Sequence, residues 1–416
     1  MSDVLTDRPA ALDQQDARLA TDTGIAGVTR AFLRRVRGGD LGTLPVIIGL
    51  AIIWTVFQVL NPVFLSSANL VDLTMQCCTV GVISLGIVCV LLAGQIDLSV
   101  GSMSGLSAAI VGVLFGLHNW PAPAAIAVAI LAGVAVGWLY SVLFNRFGVP
   151  SFVATLAGLL TFLGLQLYVL GARGAINLPF ETGLVRFAQL AFLPAALAYV
   201  LIALAAVAVF LIGLQHSRQR RKANLSARSI SMLLLRSAAL LVVLELVAWY
   251  LNQDRGIGWM FVLFIGLVVV MDYLLTRTGW GRALFAVGGN AEAARRLGIN
   301  VRRVYATAFI ACSALAALGG ILGAARLASA NQNSGTGDVN LNAIAAAVIG
   351  GTSLFGGRGS AYSALLGIIV IQSISSGLTL LNLNSALRFM ITGLVLAIAV
   401  SVDSLARKSR AAHGQA

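Results

Sequence analysis

The sequence predicts an all-α integral membrane protein, a polytopic helical bundle of about twelve spans in which some helices are short or interrupted. Three observations predict it. Of 416 residues, 59% are hydrophobic and only 10% charged, with a mean hydropathy of +0.93, which is not the composition of a soluble chain. The apolar residues fall in blocks of about twenty, the length at which an α-helix crosses the hydrocarbon core. The basic residues gather between those blocks, so the formal charge of +13 sets membrane orientation and no nucleic-acid partner is expected.

Composition also excludes chemistry. Cys77, Cys78, Cys89 and Cys312 lie inside apolar blocks without CxxC spacing, so neither a disulfide framework nor a thiolate metal site is expected. Lys222 and Lys408 are the only lysines, and neither follows a glycine as the phosphate-binding GxxxxGK[ST] loop requires. His118, His216 and His413 stand at block edges or in a tail and form no HExxH pair. No catalytic residue and no metal ligand is expected, and the chain reads as something other than an enzyme.

Residues 1–43 form a polar, basic tail that ends in Arg30, Arg34, Arg35 and Arg37. No apolar stretch follows the first few residues, so the first block is expected to stay as a helix and not to be cleaved. The transmembrane domain runs over 44–406. Its spans are expected at about 44–61, 70–93, 98–117, 122–144, 150–170, 192–214, 233–251, 258–276, 304–325, 341–357, 361–382 and 387–404. A cytosolic basic loop, 215–228, joins the sixth and seventh, and a second cytosolic loop covers 277–303. Residues 407–416 form the closing tail.

Alternation of sides tests the count. With the Arg30–Arg37 cluster inside, Arg146, the 218–228 group, the 277–303 group, Arg358, Arg407, Lys408 and Arg410 all fall inside as well. Only Arg173, Arg186, Arg255, Arg326 and Arg388 fall outside, and Arg236 lies near an inner helix end. Even crossings with both termini cytosolic follow.

Two places depart from a plain lipid-facing helix. The stretch 343–357 is short and rich in Ala and Gly, which suits a half-helix buried among others. The other is 94–101, where Gly94-Gln-Ile-Asp-Leu-Ser-Val-Gly101 echoes Gly350-Gly-Thr-Ser-Leu-Phe-Gly-Gly357 in glycine and leucine positions. Paired interruptions point to a transport site. Gly101 with Gly105, Gly133 with Gly137, and Gly319 with Gly323 have the spacing of close helix packing. Asp97, in the first interruption, suits either a polar substrate or free backbone N–H groups.

The inner stretch 288–301 reads as a short helix outside the membrane. Asn290 can cap it, Glu292 suits its positive end, Arg295 and Arg296 its negative end, and Gly298 the left-handed stop. So short a helix must lean on something, either this chain or a partner.

These three segments, Gly288–Val301, 94–102 and 343–357, together resemble the permease subunits of bacterial ABC monosaccharide importers, the ribose, xylose, arabinose and galactose group. The resemblance covers about 45–405. The extra span pair at 192–251 is similar to the longer xylose-type permeases. It implies the ABC importer permease architecture, with Asn290, Glu292, Ala293, Ala294, Arg295, Arg296, Leu297 and Gly298 coupling to an ABC ATPase subunit. ATP and magnesium would sit on that partner, and this chain would carry no cofactor.

The resemblance further implies a permease homodimer in membrane lipid, an outer sugar-binding protein, and a central pathway. Gln95, Asp97, Ser99, Asn331, Asn333, Thr352 and Ser353 are the pathway candidates. The outer segment Ala330–Asn342 would face the binding protein, or serve as a plain solvated loop. Related permeases commonly carry acidic residues where this chain has Asn340 and Asn342, which removes an obvious salt bridge there. The expected function is import of a monosaccharide, xylose or another pentose, across the inner membrane. The alternative is an ion-coupled transporter relying on Asp97, Glu245 or Asp272.

Overall fold

The computed structural model describes residues 44–384 and, beyond them, 386, 387, 390, 391, 393, 394, 397 and 401. The tails 1–43 and 407–416, and most of the expected span 387–404, lie outside the described residues. The described chain is helical apart from a two-stranded ribbon. Nine of its helices are long and apolar enough to cross a membrane.

Two compact units divide it. The larger joins Gly42–Phe192 to Ile257–Leu405, and the smaller includes Leu193–Gly256. In the larger unit α1 is Leu44–Leu60, α2 Ser67–Leu92 and α3 Val100–Val111, extended by a π-turn over Gly112–Leu117. Helices α4 (Ala122–Phe147) and α5 (Ser151–Leu170) follow, then strand β1 (Ala175–Asn177) and the short α6 (Gly183–Gln189). After the smaller unit come α9 (Trp259–Arg277), α10 (Gly279–Gly289), α11 (Ala291–Arg296) and α12 (Val301–Leu327). Strand β2 (Ser329–Asn331), α13 (Val339–Ile349) and α14 (Ala361–Leu380) complete it.

Helix α2 is apolar all round and 89% of its most apolar window is buried, so it is the core of the larger unit. Helix α12 packs beside it and against α4, and both contacts depend on missing side chains. A Cβ on Gly133 or Gly137 would run into α12, and one on Gly319 into Ile83 and Thr79 of α2. That is the close backbone approach expected of two of the three small-residue pairs. Helix α14 lies antiparallel to α2, with Gln372 Nε2 donating to the Gln76 carbonyl and Ser376 Oγ to Asn69 Oδ1. Trp54 Nε1 of α1 donates to Ser373 Oγ at 2.9 Å on the same helix.

The smaller unit is a hairpin of α7 (Ala195–Lys222) and α8 (Ile230–Leu251). Only 11% of each apolar window is buried, which fits helices whose flanks meet lipid. Helix α7 continues through Lys222, so most of the expected loop 215–228 is helical and the turn is confined to 223–229. The physical reason is that Arg, Lys and Gln are good helix formers, and Arg220, Arg221 and Lys222 complement the negative helix end. Ser217 Oγ donates to the Arg228 carbonyl and Arg220 Nε to that of Ser226, closing the turn.

In the larger unit the hairpin's two attachment points lie side by side. Phe192 and Gly258 form an antiparallel bridge, and the Trp259 N–H donates to the Ala191 carbonyl at 2.9 Å.

Candidate functional site

The larger unit has a basic end. The Asn145 side chain on α4 donates to the Arg302 carbonyl at the start of α12, and the Gly357 N–H to the Leu92 carbonyl at the end of α2. Arg146, Arg302 and Arg358 therefore stand at one level with the α10–α11 segment.

Two crossings between this end and the other are broken. The first starts at Gly94, which takes φ +73° and ends α2 in a Schellman motif, Gly94 N–H to Leu91 O and Gln95 N–H to Val90 O. From there 95–99 climbs without helix until α3 begins. Ser99 meets Tyr140, eight residues along α4 from Gly148, so α3 begins roughly 12 Å from the basic end, near mid-depth of a ~30 Å core. The second break is its complement. After the β1–β2 ribbon, 332–338 descends irregularly until α13 begins, and α13 has 11 residues, about 16 Å, enough only for the basic half.

The breaks meet at mid-depth. Asn340 Nδ2 donates to the Leu98 carbonyl at 2.6 Å. A Cβ on Gly101 would strike Gly335 and Asn340, and one on Gly105 would strike Ser334 and Gln166. The third small-residue pair thus seats the descending loop as well as packing against α5 and α13. The first N–H groups of α3 and α13 have no partner within their own helices.

The echo between 94–101 and 350–357 needs correction. The segment 350–357 does not mirror 94–101 across the molecule; it abuts its start at the basic end. The other irregular crossing segment is 332–338, whose amide-rich and glycine-rich composition is that of an ordinary surface loop.

Asp97 is 1% exposed. Its Oδ1 accepts from the Ser99 N–H at 2.8 Å and the Ser99 hydroxyl at 2.7 Å, and Tyr140 donates to that hydroxyl at 2.6 Å. The carboxyl shapes the turn that starts α3, and the Cys312 thiol of α12 lies beside it. Gln95 is half-buried beside the Tyr305 hydroxyl. Asn331 and Asn333 sit in the half away from the basic end, with Asn331 Oδ1 accepting from the Asn333 N–H. Thr352 and Ser353 are buried at the basic end, Thr352 N–H donating to Ala347 O and Ser353 N–H to Arg358 O. The seven pathway candidates therefore occupy three levels of the larger unit.

Sequence reasoning passed over Tyr140 and Gln166. Gln166 is fully buried, and its Nε2 donates to the carbonyls of Asn331, Gln332 and Ser334. The available signal was a single amide in the apolar run Leu165-Gln166-Leu167, where an unpartnered polar group is costly. Asn340 and Asn342, at the end of the segment expected to face a binding protein, each keep an unpartnered Oδ1.

At the basic end Asn290 Oδ1 accepts from the Ala293 N–H at 2.9 Å, capping α11. Gly298, at φ +83°, ends it in a second Schellman motif with Gly298 N–H to Arg295 O and Ile299 N–H to Ala294 O. Glu292 bridges Arg295 at 2.8 Å and Arg296 at 3.4 Å, exposed pairs worth little in stability. Ala294 is buried against the protein, Ala293 is exposed, and Leu297 is 82% exposed. The short helix expected within 288–301 is preceded, inside the expected loop 277–303, by α10, whose buried Leu284 and Val287 dock it. Helix α11 is thus held on one side and open on the other. Among the described residues no cluster of His, Cys, Asp or Glu could hold a metal, and the four cysteines are free and buried.

The family described as branched-chain amino acid transport system / permease component matches residues 69–232 and 223–400. The xylose transport system permease protein XylH of Escherichia coli K12 is 33% identical over 349 residues, 83% of this chain and 87% of the relative. XylH of Haemophilus influenzae is 30% identical over 90% of this chain and 99% of its own. The ribose import permease protein RbsC of E. coli K12 is 29% identical over 86% and 92%. No solved structure matches.

Proposed function

The chain belongs to the branched-chain amino acid transport system / permease component family, and from that premise we propose that it is the membrane-spanning permease of an ATP-driven sugar importer, carrying xylose or another pentose. It is a multi-pass membrane transport protein and not an enzyme. The ion-coupled alternative finds no support among its relatives.

The observation that carries the mechanism is α11. A capped helix that lies outside the bundle, rests on one buried alanine and presents Leu297 and two arginines outward is built to be pushed. The chain has no phosphate-binding loop of its own, so ATP and magnesium belong to a separate ATPase subunit docked on Asn290–Gly298. Closure of that ATPase displaces α11 and switches the permease between outward and inward access. The basic end is cytosolic and so are both termini. The scattered heights of the pathway candidates favour a route formed between two copies of the chain, with an exported sugar-binding protein delivering cargo to the other face.

The test is sugar uptake into vesicles carrying this chain with its ATPase and binding protein, comparing xylose, ribose, arabinose and glucose. Uptake of a pentose that needs both ATP and the binding protein is expected. Uptake by this chain alone on an ion gradient, abolished by Asp97→Asn, would overturn the reading.

A further inference from the structure

Three chain segments that are far apart in sequence meet backbone to backbone at the basic end. They are 92–94 at the end of α2, Gly288–Gly289 at the end of α10, and Gly356–Gly357 in the loop after α13. One hydrogen bond joins two of them, Gly357 N–H to Leu92 O at 3.0 Å. The rest is contact that only glycine permits. A Cβ on Gly288 would run into the Leu92 carbonyl and the Gly357 nitrogen, and one on Gly356 would run into Gly288 and Gly94. On Gly289, next in the chain, a Cβ would meet nothing.

Each segment leads to something already described. Gly289 precedes Asn290, the cap of α11. Gly94 opens the irregular climb that passes Asp97 and Leu98 on its way to α3. Gly356 and Gly357 belong to the loop in which α13 ends, held in shape by Ser353 N–H to Arg358 O at 2.9 Å. A contact made of backbone alone has no flexible side chain to absorb movement, because interiors packed this closely transmit displacement.

We infer that Gly94, Gly288, Gly356 and Gly357 are positioning residues for transport: a point at which movement of α11 enters both broken crossings together. The Asn340–Leu98 hydrogen bond ties the same two crossings again at mid-depth. Loop and half-helix then shift as one body. This inference rests on α11 being the surface that the ATPase moves.

The experiment compares the complete complex in vesicles as wild type, Gly288→Ala and Gly289→Ala, measuring sugar carried per ATP hydrolysed. Gly288→Ala should insert, assemble and hydrolyse ATP, yet its ratio should fall about tenfold or more. Gly289→Ala should match the wild type. A normal ratio in Gly288→Ala, or an equal fall in both, overturns the inference. If Gly288→Ala does not assemble, Gly357→Ala decides, since its methyl would come 2.9 Å from Gly289 Cα and so presses the same backbone junction less hard. A lowered ratio in Gly357→Ala sustains the junction, and a normal one removes it. Absence of ATP-dependent uptake in the wild-type complex would instead remove the importer reading itself.

Discussion

Gln166 shows what one side chain can hold in a membrane. The segment that carries Asn331, Gln332 and Ser334 leaves the β1–β2 ribbon and has no strand partner beyond Gln332, and lipid offers no water to its carbonyls. Gln166 Nε2 serves three of them. Replacing it by leucine should cost about 1–3 kcal/mol, seen as a lower unfolding midpoint in detergent and reduced uptake. Gln166→Glu should do no better, since an ionised carboxylate accepts but cannot donate. An unchanged midpoint in Gln166→Leu would show that the segment is held by Gly101 and Gly105 alone. Asp97 was legible as an unusual residue with two roles open, a polar substrate or free backbone N–H groups, and its Oδ1 takes the Ser99 N–H. Which oxygen meets Ser99, and that Tyr140 completes the chain of hydrogen bonds, depend on a helix 41 residues away.

At the level of elements, the bridge between Phe192 and Gly258 makes α7 and α8 removable. Their attachment points already touch, so deleting 193–256 and joining the ends through about four glycines should leave the larger unit inserted and folded. Elution of the shortened chain as a single species in detergent checks this, and aggregation would show that the hairpin supports the fold. Regular spans were easy to read, because twenty apolar residues in a row have few other solutions. Breaks were harder. A sequence such as Asn331-Gln-Asn-Ser-Gly-Thr-Gly337 has the composition of a surface loop, and nothing local says that α3 and Gln166 will satisfy it inside the bundle. Helix α10 was missed because 11 residues are too few to register as a span and its apolar face is half-width.

For the whole molecule, sidedness is the property that arginine counting addresses and contact geometry cannot. Leu297 on α11 is 82% exposed and Phe180, after the ribbon at the opposite end, is 66% exposed. In right-side-out vesicles an impermeant maleimide should label Phe180→Cys and spare Leu297→Cys, with little background because the native cysteines are buried. The reverse pattern would invert the assignment of both termini. The broken crossings also bear on how the chain enters the bilayer in the first place. With only 11 helical residues, α13 is too short to partition into lipid by itself, and the polar segment before it would resist partitioning outright. Ribosomal delivery alone therefore cannot install this crossing as an independent step. It must wait for α12 and α14 to arrive on either side and be drawn in with them, which places the last stage of biogenesis after nearly the whole chain has been synthesised.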